Sequence, residues 1–404
     1  MPALEATLPT PSTKTEPKAP VKITELEGLR GLLAWWVVAS HLLYFSGFYD
    51  TKLGGVLGLI SRGHEAVDGF IILSGFVIFL LLDKGRDSYG VFLFRRFFRL
   101  FPVFILCFLA AVLVAPLAPA LLGELPWSSH SSIQLLVNNW RNSVAHFWPH
   151  LGLHLTMLHG LVPEEVLPNS AGAFLGPAWS ISLEWQFYLI APFLFAFGKK
   201  GAKPVAAICL IVLATVAART AFGSYSTPGT LATWTLPAFL PIKAKFFFIG
   251  ALSFFVFRFV TRSREAQSLM STAFLALLTT LAIFVKSLPL ALWTLTLGAY
   301  LCRFSASENL LSRAVSFALN LQPVQWIGRI SYSTYLCHAP LIYAGLFLLL
   351  RIRHDWTPAT FLAALTAFVV PTALLCSHLL FTFVEQPFID AARRWSTPRP
   401  SPAA

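Results

Sequence analysis

The chain reads as a succession of long apolar runs separated by short basic loops. Runs suited to membrane crossing lie near residues 31–49, 66–82, 101–122, 179–197, 204–222, 241–259, 268–286, 288–303, 331–350 and 358–382. A helix needs about 20 apolar residues to cross a bilayer, so each run is long enough or nearly so. In lipid the backbone must satisfy its own hydrogen bonds, and open runs of this kind do so as helices. Of 404 residues, 56% are hydrophobic and 12% charged, about half the charge of a soluble domain. The fold class predicted is an all-α polytopic membrane protein, a single bundle of about ten transmembrane helices.

Residues 1–22 carry Pro, Thr and Lys without periodicity and read as a disordered cytoplasmic tail. Residues 23–390 form the membrane domain, and 391–404 a short cytoplasmic tail. No A-x-A cleavage site follows the first run, which is therefore expected to remain as a span. Ten spans put both termini on one side. With the N-terminus inside, the inner loops hold sixteen Lys and Arg and the outer loops six. That bias places both termini in the cytoplasm of a multi-pass protein of the cell (inner/plasma) membrane. The pair 268–286 and 288–303 is the weak point, since merging it would reverse the C-terminal half. The net charge of +12 is spread through these loops rather than gathered in a patch, so membrane lipid rather than nucleic acid is the expected partner. The five cysteines fall in or beside apolar runs and show no metal or disulfide spacing. The long segment from about 123 to 178 holds His146, His150, His154 and His159 without a neighbouring Cys or carboxylate. Packing is expected there, and no metal.

Several polar groups stand where apolar ones are cheapest. Arg30 and His41 are eleven residues apart, which on a helix is about 20° in direction and roughly 16.5 Å along the axis. One face thus carries a cation near the membrane edge and a proton acceptor deeper in. A snorkelling arginine and a hydrogen-bonded histidine would be the structural explanation; a general base is the functional one. Asp68 lies at the outer end of the second run, where it can cap a helix or meet a polar substrate. Ser74-Gly75 is a small pair that permits close helix approach. Arg95, Arg96 and Arg99 share a sector of an interfacial helix between spans, as membrane anchors or as a clamp for phosphate. Ser180, Glu184 and Tyr188 line one face, and Glu184 needs a partner inside the span. Ser331, Tyr335 and His338 line another. Cys337 and His338 are adjacent and point about 100° apart, which excludes a dyad. Glu385, after the last run, is placed to bind an inner-face arginine.

Together these motifs resemble the membrane acyltransferase-3 family over about residues 23–390. The arginine–ten residues–histidine pattern is met by Arg30 and His41, and Ser-Gly-Phe by Ser74-Gly75-Phe76. The basic segment is met by Arg95, Arg96 and Arg99. Trp-Ser-x-x-x-Glu with Phe-Tyr is met by Trp179, Ser180, Glu184, Phe187 and Tyr188. Ser331, Tyr332, Tyr335 and His338 match a further segment, and Glu385 and Pro387 the ending. The chain departs from the pattern at Gly69, where the family carries a leucine after the aspartate. The resemblance implies an O-acyltransferase that moves an acyl group, acetyl being the expected one, from acyl-CoA to a hydroxyl. The acceptor class implied is a polysaccharide, a lipid-linked sugar or a small molecule, met at the outer side. It implies catalytic roles for His41, Arg30 and Glu184, and donor binding by Arg95, Arg96 and Arg99. Asp68, Ser74, Trp179, Ser180, Tyr188, Tyr335 and His338 are the substrate-binding candidates. A transporter or flippase for a sugar or polar lipid is the alternative, because it explains intramembrane charge equally well.

Overall fold

The computed structural model describes residues 23–48, 53–85, 87–198, 222–224, 231–262, 267–304 and 309–396, and helices run through most of them. Helix α1 (Thr24–Leu43) is followed by a short α2 (Gly55–Ile60), then α3 (Gly63–Lys84) and α4 (Tyr89–Val114). Three shorter helices, α5 (Ala118–Gly123), α6 (Ser131–Ala145) and α7 (Phe147–Leu155), lead to α8 (Trp179–Gly198). Strands β1 (Phe222–Ser224) and β2 (Ala232–Trp234) pair in parallel ahead of α9 (Leu240–Arg262). Next come α10 (Gln267–Val285), α11 (Leu288–Phe304), α12 (Leu310–Asn320) and α13 (Gln322–Arg329). Finally α14 (Ser331–Ile352) and α15 (Pro358–Leu380) pass through a π-helical turn, Phe381–Glu385, into α16 (Gln386–Ser396).

Seven helical stretches among the described residues are long and apolar enough to cross a membrane. They are built on α1, α3, α4, α8, α9, α14 and α15. Two shorter apolar segments, Leu275–Phe284 and Leu288–Cys302, lie in α10 and α11. These two form separate helices joined at Lys286 and Ser287, where Lys286 takes a φ of 50° and Ser287 N–H donates to Ala282 O at 3.0 Å. The predicted run 204–222 lies outside the described residues.

The run at 101–122 is corrected. Ser88 caps the helix through Val91 N–H at 3.4 Å, and Pro116 follows its last turn. Helix α4 therefore covers Tyr89–Val114, and the basic segment expected in an interfacial helix is the first half of a spanning one.

Helices α1, α4 and α14 start at one end of the bundle, the near end. Contacts at two levels, Gly31 with Gly328 and His41 with His338, run α1 and α14 in one direction, and Tyr89 against Leu189 with Phe97 against Trp185 runs α4 opposite to α8. Helices α3, α8, α9 and α15 start at the far end and run back. Between α3 and α9 the ion pairs Asp68–Lys243 and Asp83–Arg258, at 2.6 and 3.3 Å, mark the two ends of a parallel contact. At its middle the backbones touch. A Cβ on Gly250 would sit 2.0 Å from Ile72 O, and one on Gly75 would sit 2.2 Å from Phe247 O. Ser74-Gly75 thus permits the close approach its small side chains suggest. Aromatic rings fill the space beside it, with Phe76 against Phe254, Phe257 and Trp293.

The segment from 123 to 178 packs as a cap. His150, His154 and His159 are fully buried, and the last two rings stack at 3.9 Å, with Phe108 stacked on His154 at 4.8 Å. The histidines serve packing, as their apolar and aromatic neighbours imply. Burial pushes His150 and His159 down to about 4, and His154 further, and in His150 the neighbouring His146 adds to the effect.

Two outcomes follow from this packing. Gly250→Leu should lower the thermal midpoint in detergent, by about 1–3 kcal/mol or more of overpacking, while Gly152→Ala, with open space around it, should not. The histidine stack stays neutral while folded, whereas unfolded histidines take up protons near pH 6.5. Stability is therefore whole above about pH 6.5 and should fall between about 6.5 and 4. A His154→Phe variant should flatten that fall in a pH series of melting curves.

Candidate active site

Side chains from α1, α3, α4, α8, α9 and α14 line an interior cavity of about 130 Å³. Helix α1 contributes Arg30 and α4 contributes Arg96 and Arg99. Helix α8 presents Ser180, Glu184 and Tyr188 from successive turns, as their i, i+4, i+8 spacing requires. Phe70 and Ser74 come from α3, and Ser331, Tyr332 and Tyr335 from α14. Phe247 and Ile78 are among the apolar residues that complete the wall. Gly31 packs on Gly328, which holds the α13–α14 junction against α1 beside Arg30.

Each charge in this lining has a distinct setting. Glu184 Oε1 accepts from Ser74 Oγ at 3.1 Å and from the Tyr188 hydroxyl. Arg96 lies against Tyr188. Arg99 donates to Glu385, whose second oxygen accepts from Ser333 Oγ at 2.7 Å. Glu385 is 1% exposed, and it binds an arginine as expected. Arg30 has no acidic partner within ion-pair distance among the described residues. The cavity lining thus carries three guanidiniums and one carboxylate, with a second carboxylate behind Arg99.

The histidines lie further along the same two helices. His338 Nε2 stands 3.2 Å from His41 Nδ1, with ring centroids 5.0 Å apart. His338 Nδ1 faces Thr334 O at 3.2 Å, and His41 Nδ1 faces Val37 O at 3.0 Å. The neutral tautomers that suit all three contacts carry the proton on Nδ1 of both rings. His41 Nδ1–H is then shared between Val37 O and His338 Nε2, and His41 Nε2 keeps its lone pair free. Tyr335 stands between this pair and the cavity. Its ring lies 6.2 Å from His338 and 5.9 Å from Phe70, and its hydroxyl bonds Ser180 at 2.8 Å and Pro177 O at 3.0 Å.

Most of the residues singled out in the sequence converge here. Arg30, Ser74, Arg96, Arg99, Ser180, Glu184, Tyr188 and Tyr335 line the cavity, and His41 and His338 pair next to it. Three stand apart. Trp179 is buried at the start of α8, beside Ser180. Asp68 is 6% exposed and bound to Lys243, away from the lining. Arg95 pairs with Asp87 at 2.6 Å and with Ser396 at 2.8 Å. Arg95 and Arg96 lie on opposite sides of the Arg99 direction, about 100° apart, so one faces α16 and the other the cavity. Sequence reasoning missed Lys243 as the partner of Asp68, although a lysine in an apolar run was the available signal. It also left His338 unpaired with His41, because nothing local connects positions 297 apart.

Residues 23–378 match the acyltransferase domain known as acyltransferase-3. The chain belongs to that family. Acyltransferase MdmB of Streptomyces mycarofaciens is 27% identical over 410 residues, covering 96% of this chain and 97% of its own. Peptidoglycan O-acetyltransferase OatA of Listeria monocytogenes is 25% identical over 388 residues, covering 90% of this chain and 55% of its own. The chain therefore spans about half of OatA and nearly all of MdmB. No solved structure matches. Family and relatives together make this chain a multi-pass membrane acyltransferase.

The Asp68–Lys243 pair is open to a direct check. Lys243→Ala strands a buried carboxylate and should destabilise by about 3 kcal/mol. Asp68→Asn combined with Lys243→Met should recover most of that loss. If Asp68 serves structure, the double variant keeps acyl transfer per folded molecule; loss of transfer at full stability would return Asp68 to the substrate.

Proposed function

We propose that this acyltransferase moves an acyl group, acetyl first among them, from acyl-CoA to a hydroxyl of a carbohydrate-type acceptor. The observation that carries the reading is the His41–His338 pair set against a cavity with three guanidiniums. A cationic cavity suits a phosphorylated donor, and an imidazole with a free lone pair suits deprotonation of a hydroxyl. The near end is assigned to the cytoplasm. The Lys and Arg bias of the loops supports this, and it survives the transfer of Arg96 and Arg99 into the bundle. Donor then arrives from the near end and acceptor from the far end. The name of OatA joins O-acetyl transfer to peptidoglycan, which favours a carbohydrate hydroxyl as the acceptor here.

In this reading His41 Nε2 takes the proton of the acceptor hydroxyl as its oxygen bonds to the thioester carbonyl carbon. His338 accepts from His41 Nδ1–H, which fixes the tautomer and steadies the imidazolium formed. Collapse of the tetrahedral species breaks the carbon–sulfur bond. The proton on His41 passes to the departing sulfur, leaving an ester and free thiol. Arg30 orients the donor. Glu184, held by Ser74 and Tyr188, balances the arginine charge and keeps the lining polar.

His41→Ala should lower acyl transfer by at least about a hundredfold, while membrane insertion and acyl-CoA binding persist. Mass spectrometry of the cell's glycans, with and without the variant, reads the outcome. Full acylation by His41→Ala would remove the histidine from the mechanism.

A further inference from the structure

Phe70 and Tyr335 belong to the cavity lining, whereas His41 and His338 lie beyond it. Levels along the bundle show where the two rings stand. Gly63 packs on Ser40 and Gly69 on Leu33, so α3 runs antiparallel to α1 and Phe70 is level with Leu32. Gly328 packs on Gly31 and His338 meets His41, which sets Tyr335 level with Val38. Both positions fall between Arg30 and His41, on the way from the cavity to the histidine pair.

Side chains on a helix lean toward its N-terminus. Helix α3 starts at the far end and α14 at the near end, so Phe70 leans toward the histidines and Tyr335 leans toward the cavity. The two converge. Their rings meet edge-on, with centroids 5.9 Å apart and planes at 64°, within the contact range of an aromatic pair. The seam beside them is closed, since a Cβ on Gly69 would already meet Leu33 at 3.0 Å. The two rings differ in freedom. Tyr335 is 5% exposed, and its hydroxyl donates to Pro177 O at 3.0 Å and accepts from Ser180 Oγ at 2.8 Å. Phe70 is only half-buried and has no such tether. One ring is a fixed post and the other a leaf that can turn.

We infer that Phe70 and Tyr335 form a slot that selects the transferred acyl group by width, passing unbranched groups and stopping branched or aromatic ones. The inference rests on the reading in which an acyl-CoA thioester reaches His41 from the cavity. A straight acyl chain is no thicker than the flexible arm that carries it. Turning Phe70 aside for the arm therefore admits the chain as well, whatever its length. A branched or aryl group is wider than the arm. It passes only if Tyr335 also moves, and that breaks two buried hydrogen bonds. Width is selected at this point and length is not.

A competition assay tests this. Inside-out membrane vesicles from producing cells, which retain the cell's glycans, receive acetyl-CoA with an equal concentration of butyryl-CoA or of benzoyl-CoA. Mass spectrometry counts the two esters formed. Their ratio within one sample does not depend on how much enzyme is folded. Wild type should give comparable acetyl and butyryl esters and about a hundredfold less benzoyl ester. Phe70→Ala should raise the benzoyl share at least about tenfold and leave the butyryl share unchanged. Tyr335→Phe keeps the ring without its tether and should raise the benzoyl share by less. Benzoyl transfer by wild type equal to acetyl transfer, or a benzoyl share that Phe70→Ala does not move, overturns the slot. Exclusion of butyryl by wild type also overturns it, in favour of selection by length. A rise with Phe247→Ala as large as that with Phe70→Ala overturns it too, by moving selection to the cavity at large. Absence of acetyl ester with wild type removes acyl-CoA as donor, and the slot falls with that reading.

Discussion

Arg99 lies ten residues into α4, roughly 15 Å from the helix start along its axis. A full positive charge at that depth is among the most unfavourable things a spanning helix can carry. Glu385 answers it with a carboxylate that is itself almost wholly buried, and Ser333 satisfies the second carboxylate oxygen. Such a pair is favourable only when its remaining hydrogen bonds are made, and here they are. The pair draws together α4, the start of α14 and the π-helical turn after α15. Those elements frame one side of the cavity, so its shape depends on this contact. With Arg99 neutralised, the charge left for a ligand is that of Arg30 and Arg96, moderated by Glu184.

The site is divided along the bundle axis. The charged side chains Arg30, Arg96, Arg99 and Glu184 line the cavity, and the histidine pair lies about two to three turns further along α1 and α14. Both helices run in the same direction, which is why Arg30 and Ser331 meet at one level and His41 and His338 at another. Tyr335 joins the levels, bonded to the start of α8 through Ser180 and Pro177 while its ring lies beside His338. A ligand that touches both levels must be elongated along the axis, which matches the chemistry of a thioester on a flexible arm.

Much of this was legible from the order of residues. Hydropathy located eight of the ten predicted runs on described helices, because chain length in lipid leaves little choice; 101–122 is displaced from α4, and 204–222 lies outside the described residues. Helical spacing put Ser180, Glu184 and Tyr188 on one face, and the same arithmetic put Arg30 in line with His41. The interfacial assignment failed at Arg99 for a physical reason, whereas Arg95 stays near the start of α4, paired with Asp87. Local hydropathy treats an arginine as a terminus of a span, whereas a partner 286 residues away, Glu385, makes it tolerable inside one. Asp68 gave the mirror case, a carboxylate that reads as a substrate contact until Lys243 is brought to it. Pairings between distant helices carry the site, and no local pattern encodes them.

The backbone contact of α3 with α9 has a consequence for the cavity. Ser74 and Phe247 flank that contact and both face inward. Two helices whose main chains already touch cannot slide or part by small amounts without breaking close packing over their whole length. This side of the cavity behaves as an inextensible partition. Its capacity changes only in steps, by exchanging side chains such as Phe247, Phe70 or Ile78 for smaller ones. Divergence in the size of whatever the cavity holds is thereby decoupled from divergence in the scaffold, and a handful of ring and methyl volumes set the gauge.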